Sequence, residues 1–205
     1  MRRAAALAGG AADIGRSSTL PLVTGHAKGI PFTVIAPGGM CQAKAPGAGS
    51  SSRASDIATE AWIDAHGGDS TRVQYVELPD ASVMAALENP FGDDVSALGA
   101  HLPQTAWFCT GDYASKSPEV VRRFAQVLRD AGIHTNAHHA ETVDLLAAFA
   151  NMEPATIARM TRAEQAPYLD PRDIQPLIDA AYRYKVIDKR FDAAEIISPL
   201  ALKSR

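Results

Sequence analysis

Ala11-Ala12-Asp13-Ile14-Gly15-Arg16-Ser17-Ser18-Thr19 opens the stretch that decides the fold, and Pro31-Phe32-Thr33-Val34-Ile35-Ala36 closes it. Asp13 to Gly15 reads as a short buried strand. Residues 19–28 read as a helix with Pro21 in its first turn, where a missing N–H costs little. Residues 31–36 are apolar and β-branched, bounded by Gly29 before and Pro37-Gly38-Gly39 after, as a strand is. A strand, a helix and a buried strand joined by short connections predict an α/β layer structure.

Upstream, residues 3–11 read as a small-residue helix. Met1-Arg2-Arg3 resembles the basic start of an export signal, but Leu7 is the single large apolar residue before Asp13, so the run is not read as a signal peptide. Downstream, residues 41–52 are rich in Ala, Gly, Pro and Ser without an apolar period, which predicts a loop or linker. A helix is expected over 52–66, with Ile57, Ala61, Trp62 and Ala65 on one stripe and Gly67-Gly68 ending it. Residues 73–78 alternate as a strand, 82–88 make a short helix, and 89–104 are irregular. Thr105-Ala106-Trp107-Phe108-Cys109-Thr110 is an apolar strand expected to be buried on both faces. From there the chain turns helical. Ser117 is an expected N-cap with Pro118 at the first helical position, and Val120, Val121, Phe124, Val127 and Leu128 are the apolar stripe. Further helices are expected over 141–151, 154–160 and 171–184.

The 205 residues are 46% apolar and 21% charged, ordinary proportions for a soluble globular protein. A net charge of −3 gives no reason to expect nucleic acid or an acidic membrane as partner. No window reaches the roughly 18 unbroken apolar residues of a membrane-spanning helix. The two cysteines, Cys41 and Cys109, form no Cys-x-x-Cys pair. They read as free, partly buried thiols, with one bridge as the alternative.

No nucleophile elbow, P-loop, dinucleotide fingerprint or zinc-protease helix is present. His134 and His138 stand one helical turn apart with His139 beside them, a spacing that permits a shared metal, but no third ligand is apparent and a solvated helix face is expected. The sequence gives no reason to expect catalysis. More informative are the hydroxyl-rich helix starts, Ser17-Ser18-Thr19 and Ser50-Ser51-Ser52. A helix N-terminus offers unpaired N–H groups and a partial positive charge, so it holds an anion without a counter-ion. The same serines also serve as simple caps, and both readings stand. Trp62 lies on an apolar stripe and reads as core, whereas Trp107 is left open between core and the wall of a ligand pocket.

The order of these segments resembles the nitrate/sulfonate/taurine-binding family of ABC-importer solute-binding proteins. Ala11 to Gly15, the helix ending His26-Ala27-Lys28-Gly29-Ile30-Pro31, and Ala36-Pro37-Gly38 are similar to its first lobe. Glu60-Ala61-Trp62-Ile63-Asp64, Gly67-Gly68-Asp69 and Val76-Glu77-Leu78-Pro79 resemble the passage into its second lobe. Thr105 to Phe108 and Ser117 to Phe124 resemble the return. The stretch from Pro154 to Arg162, then Leu169-Asp170-Pro171 and Gln175 to Ala181, matches the tail most closely.

The resemblance implies a two-lobed, periplasmic-binding-protein-like α/β architecture whose first lobe is incomplete and second reduced, with a helical C-terminal part. The family's opening strand and helix are lacking, residues 39–50 are short for the exit of the first lobe, and a strand is missing before Asn89. The implied division is 1–48 for the first lobe, 49–110 for the reduced second, and 111–205 for the return and C-terminal helices. It further implies a periplasmic, monomeric binding component that takes a small anionic solute to an ABC permease, with no enzyme activity, cofactor, nucleic acid or membrane insertion. Ser17, Ser18, Thr19, Ser50, Ser51, Ser52, Asn89 and Trp107 would line the cleft, Asn89-Pro90-Phe91 standing where the family has a Glu-Pro-Phe-like stretch. Two alternatives remain. One is an enzyme related to thiamine-pyrimidine biosynthesis, whose nominees are His26, Cys41 and His101; the other is an inactive remnant.

Overall fold

A computed structural model describes residues 12–42, 53–72, 101–160, 162 and 164–203. The expected helix at 3–11, the strand at 73–78, the helix at 82–88, the second cluster Ser50-Ser51-Ser52 and Asn89 lie outside the described residues. The elements run β1 (Ile14–Ser18), α1 (Thr19–Ala27), β2 (Phe32–Pro37), β3 (Met40–Gln42), α2 (Arg53–Ala65), β4 (His101–Pro103), β5 (Thr105–Thr110), α3 (Gly111–Lys116), α4 (Pro118–Ala137), α5 (Val143–Ala150), α6 (Pro154–Arg159) and α7 (Pro171–Arg183).

β5 lies between β1 and β2 and runs antiparallel to both, so β1 and β2 are parallel and end at the same edge of the sheet. The chain leaves that edge through β3 and returns through β4, which pair as a small antiparallel ladder. The expectation of a strand buried on both faces holds for β5: Ala106, Phe108 and Cys109 are buried. Both neighbours are antiparallel to it, and its burial comes from helices on both sheet faces. Residues 40–42, partly read as linker, and 101–103, read as irregular, are strands because the ladder satisfies their backbone groups, whatever their composition.

One face of the sheet carries the larger core, in which Leu20, Leu22 and Val23 of α1, Ile57 and Ala58 of α2 and Leu177 and Ile178 of α7 pack on Val34 and Phe108. The other face carries Ile35, Cys109, Ala114 and Val121, with Trp107 and Phe124 packed against them. On α4, Val121 and Ala125 point inward, whereas Val120 and Val127, assigned to the inward stripe, are 50% and 66% exposed. α3 follows β5 directly, capped by Thr110, whose hydroxyl accepts from the Tyr113 N–H at 3.1 Å. Ser117 therefore marks a junction between two helices, and its side chain does not cap α4. Trp62, expected in the core, is 44% exposed and stacks on His66 with ring centroids 4.2 Å apart. It stands one residue off the line from Ile57 to Ala61 that faces the sheet.

Candidate functional site

The carboxyl ends of β1 and β2 place Ser17, Ser18, Pro37, Gly38 and Gly39 at one sheet edge, against the amino end of β5. In open α/β sheets ligands sit outside the carboxyl ends of the strands, so this edge is the place to build a site from. It is tightly braced. The Gly38 N–H donates to Thr105 O at 2.9 Å, and the Gln104 N–H donates to Gly39 O at 2.9 Å. From the other side the Met40 N–H donates to Glu164 O at 2.7 Å, the Ala166 N–H donates to Gly38 O at 3.3 Å, and Gly39 bridges Gln165. Gln165 is tied to α4 by a reciprocal pair: Asn136 Nδ2 donates to Gln165 O at 2.8 Å, and the Gln165 N–H donates to Asn136 Oδ1 at 2.9 Å. Gly132, one turn earlier, lets the segment approach this closely, since a Cβ there would stand 3.2 Å from Gln165 Cβ.

β1 runs on to Ser18, so Ser17 is a strand residue and only Ser18 occupies the helix-cap position. Cross-strand partners share a face and neighbours along a strand alternate. Ser17 pairs with Ala106 and so lies on the face of the larger core, while Arg16 and Ser18, opposite Trp107 and Thr105, lie on the other. Ser18 and Trp107 therefore share a face, and Ser17 does not join them. Ser18 has the extended backbone of an N-cap but its hydroxyl makes no capping bond. Simple capping thus does not account for this serine.

The first turn of α1 offers fewer anion-binding groups than a generic helix start. The Thr19 N–H donates to Gln104 O at 3.1 Å and the Thr19 hydroxyl, 2% exposed, donates to Pro103 O. Pro21 has no N–H, so among the described residues the Leu20 N–H is the first-turn donor left without an internal acceptor. Trp107 is half-buried, edge-on to Phe124 at 5.2 Å between centroids, with the Arg16 guanidinium 5.9 Å from its ring centre. It serves the smaller core and the floor under Arg16 together. Arg16 and Thr105 are the edge residues that sequence reading missed. The available signal was the alternation of β1 itself, which puts a charge two positions before the strand ends.

The other nominees fall elsewhere. His26 sits at the far end of α1, roughly 10 Å along the axis from Thr19 at 1.5 Å per residue, and its ring meets that of Phe191 at a 45° tilt, centroids 4.6 Å apart. Burial holds its imidazole below the ordinary value, against a smaller upward pull from Glu195. Cys41 and His101 occupy the β3–β4 ladder, paired with Leu102 and Gln42. Cys109 is a buried free thiol whose pKa burial pushes up to about 11, a poor nucleophile. His134 and His138 stack at 4.3 Å, and His134 Nε2 faces Glu141 Oε2 at 3.2 Å; no group of three metal-ligating side chains occurs among the described residues. A shallow depression between α5 and α6, lined by Asp144, Ala147, Asn151, Met152 and Glu153, involves none of the edge residues.

Neither a protein-family model nor a curated protein sequence matches the chain. Solved structures do. The periplasmic aliphatic sulphonate binding protein SsuA from Escherichia coli superposes with a TM-score of 0.65 at 17% identity, covering 98% of this chain and 80% of that one. The fold is that of the periplasmic binding proteins. The alkanesulfonate-binding protein SsuA from Xanthomonas axonopodis pv. citri, bound to MOPS, gives 0.58 at 17% identity, over 95% of this chain and 83% of its own. An ABC transporter protein from Parabacteroides distasonis gives 0.62 at 16%, over 96% and 84%. These three structures are of binding and transport proteins, and no described helix is long and apolar enough to cross a membrane.

Proposed function

We propose that this chain is the solute-binding component of an ABC importer and captures a small anionic, sulfonate-like molecule at the shared carboxyl edge of β1 and β2. The observation that carries the proposal is the ending of two parallel strands beside the crossover ladder, with Ser17 and Ser18 handing over to α1 at that point. The Ser18 hydroxyl and the Leu20 N–H supply donors on the outward side. Ser17 approaches from the opposite sheet face. Ser50, Ser51, Ser52 and Asn89 are proposed to complete the cleft from the segment between β3 and β4. In this reading the protein works in the periplasm as a monomer and passes its ligand to a membrane permease without covalent chemistry. The division into 1–48, 49–110 and 111–205 belongs to the same proposal, although β5, counted within 49–110, pairs with β1 and β2.

Calorimetric titration with taurine, propane-1-sulfonate, nitrate, bicarbonate and a hydroxymethylpyrimidine tests the reading. Saturable binding of a sulfonate is expected. A hydrogen bond to a charged group contributes about 1.5–3 kcal/mol, so Ser18→Ala is expected to weaken Kd about tenfold or more. Unchanged affinity in both Ser17→Ala and Ser18→Ala would remove the serines from the site. Exclusive binding of the pyrimidine would favour a relative of the pyrimidine-handling enzymes instead.

A further inference from the structure

We infer that Arg16 is the counter-ion of the bound solute and sets its class, a compact oxyanion head group such as a sulfonate or phosphonate. This rests on the reading of the β1–β2 edge as the solute site, and it assigns the charge that selects the ligand.

The β1–β5 register puts Arg16 opposite Trp107 and Ser18 opposite Thr105. Arg16 does not point straight out from its rung. Its Nε and Nη2 donate to the Thr105 hydroxyl at 3.2 and 3.0 Å, so the side chain leans diagonally along the sheet toward the carboxyl end of β1. The guanidinium also lies 5.9 Å from the centre of the Trp107 ring, within the range of a cation–π contact. Thr105 is itself fixed, because its backbone O accepts from the Gly38 N–H and its side chain fills the space where a Cβ on Gly38 would stand. A cation on a flexible stem is thus held in one place, on the face that Ser18 shares.

A guanidinium is always charged and carries five N–H donors in a planar fork that matches the oxygens of a sulfonate or phosphonate. Arg16 keeps further contacts of its own within the chain, and the anion joins that network rather than filling a vacancy. The inference also answers a shortage at this edge. With Thr19 committed to Pro103 and Gln104, and Pro21 lacking an N–H, the first turn of α1 holds an anion weakly by itself. A fixed cation on the neighbouring face supplies what the helix start lacks.

The test uses propane-1-sulfonate and its neutral counterpart propane-1-sulfonamide, titrated calorimetrically into wild type, Arg16→Gln and Arg16→Lys at low and high salt. Wild type is expected to bind the sulfonate and to discriminate against the sulfonamide. Arg16→Gln is expected to weaken sulfonate binding about 10- to 100-fold, to lose the discrimination and to flatten the salt dependence. Arg16→Lys, which keeps the charge and loses the fork, is expected to recover part of the discrimination. Wild-type binding that Arg16→Gln leaves intact overturns the inference while the solute-binding reading stands. Failure of wild type to bind any small anion overturns the reading and the inference with it.

Discussion

Gly38→Ala is the substitution whose cost follows most directly from the geometry. A Cβ at Gly38 would stand 2.9 Å from Thr105 O and 3.2 Å from Thr105 C, and closer still to the Thr105 hydroxyl. The hydroxyl could rotate away, but the carbonyl belongs to the central strand and cannot. Overpacking of this kind costs about 1–3 kcal/mol. Pushing the two segments apart also loosens the bonds from the Gly38 N–H to Thr105 O at 2.9 Å and from the Ala166 N–H to Gly38 O at 3.3 Å. At about 1 kcal/mol for the pair, since neither is fully lost, the total comes to about 2–4 kcal/mol. For a chain of this length that lowers the melting temperature by about 5–15 °C. Gly111→Ala is the control: nothing lies within 4 Å of its Cβ and its φ is ordinary, so it should be neutral or slightly stabilising. Thermal melts followed by circular dichroism would compare the three proteins. A Gly38→Ala protein melting within about 2 °C of wild type would refute the packing described for this edge.

Asn136→Ala removes both bonds to Gln165, leaving the Gln165 backbone partly buried without its partners, and is expected to lose about 1–3 kcal/mol by urea denaturation. Asn136→Asp keeps the acceptor and should fall between Asn136→Ala and wild type. His26 contributes a pH dependence: burial lowers its folded pKa below the unfolded value near 6.5, so the unfolded chain binds the extra proton first. The stability it contributes is complete above about pH 6.5 and falls away as pH drops toward the folded pKa. His26→Phe, which keeps an aromatic contact with Phe191, should flatten that slope in melts between pH 5 and 7.

The α/β class and most elements could be read from local pattern. Pro31 to Ala36 and Thr105 to Thr110 are short apolar runs between breakers, and helices at 19–27, 53–65, 118–137 and 171–183 carry periodic apolar residues. What escaped was decided by partners far along the chain. Met40 to Gln42 and His101 to Pro103 are strands only because they meet each other. The exposure of Val120, Val127 and Trp62 depends on which arc of each helix the sheet reaches, and a stripe read from spacing alone is wider than the arc that is covered. The serines of the edge were found through their chemistry. Their division between two faces, and the setting of Arg16 against Thr105 and Trp107, required the β1–β5 register, which no local pattern contains.

Backbone amide shifts recorded while propane-1-sulfonate is titrated to saturation test the location of the site most directly. The largest saturable changes are predicted at Ser17, Ser18 and Leu20, with Thr105 following and Asn151 and Met152 in the α5–α6 depression unmoved. Saturable binding that shifts the α5–α6 amides and leaves the β1 edge still would contradict the assignment of the site.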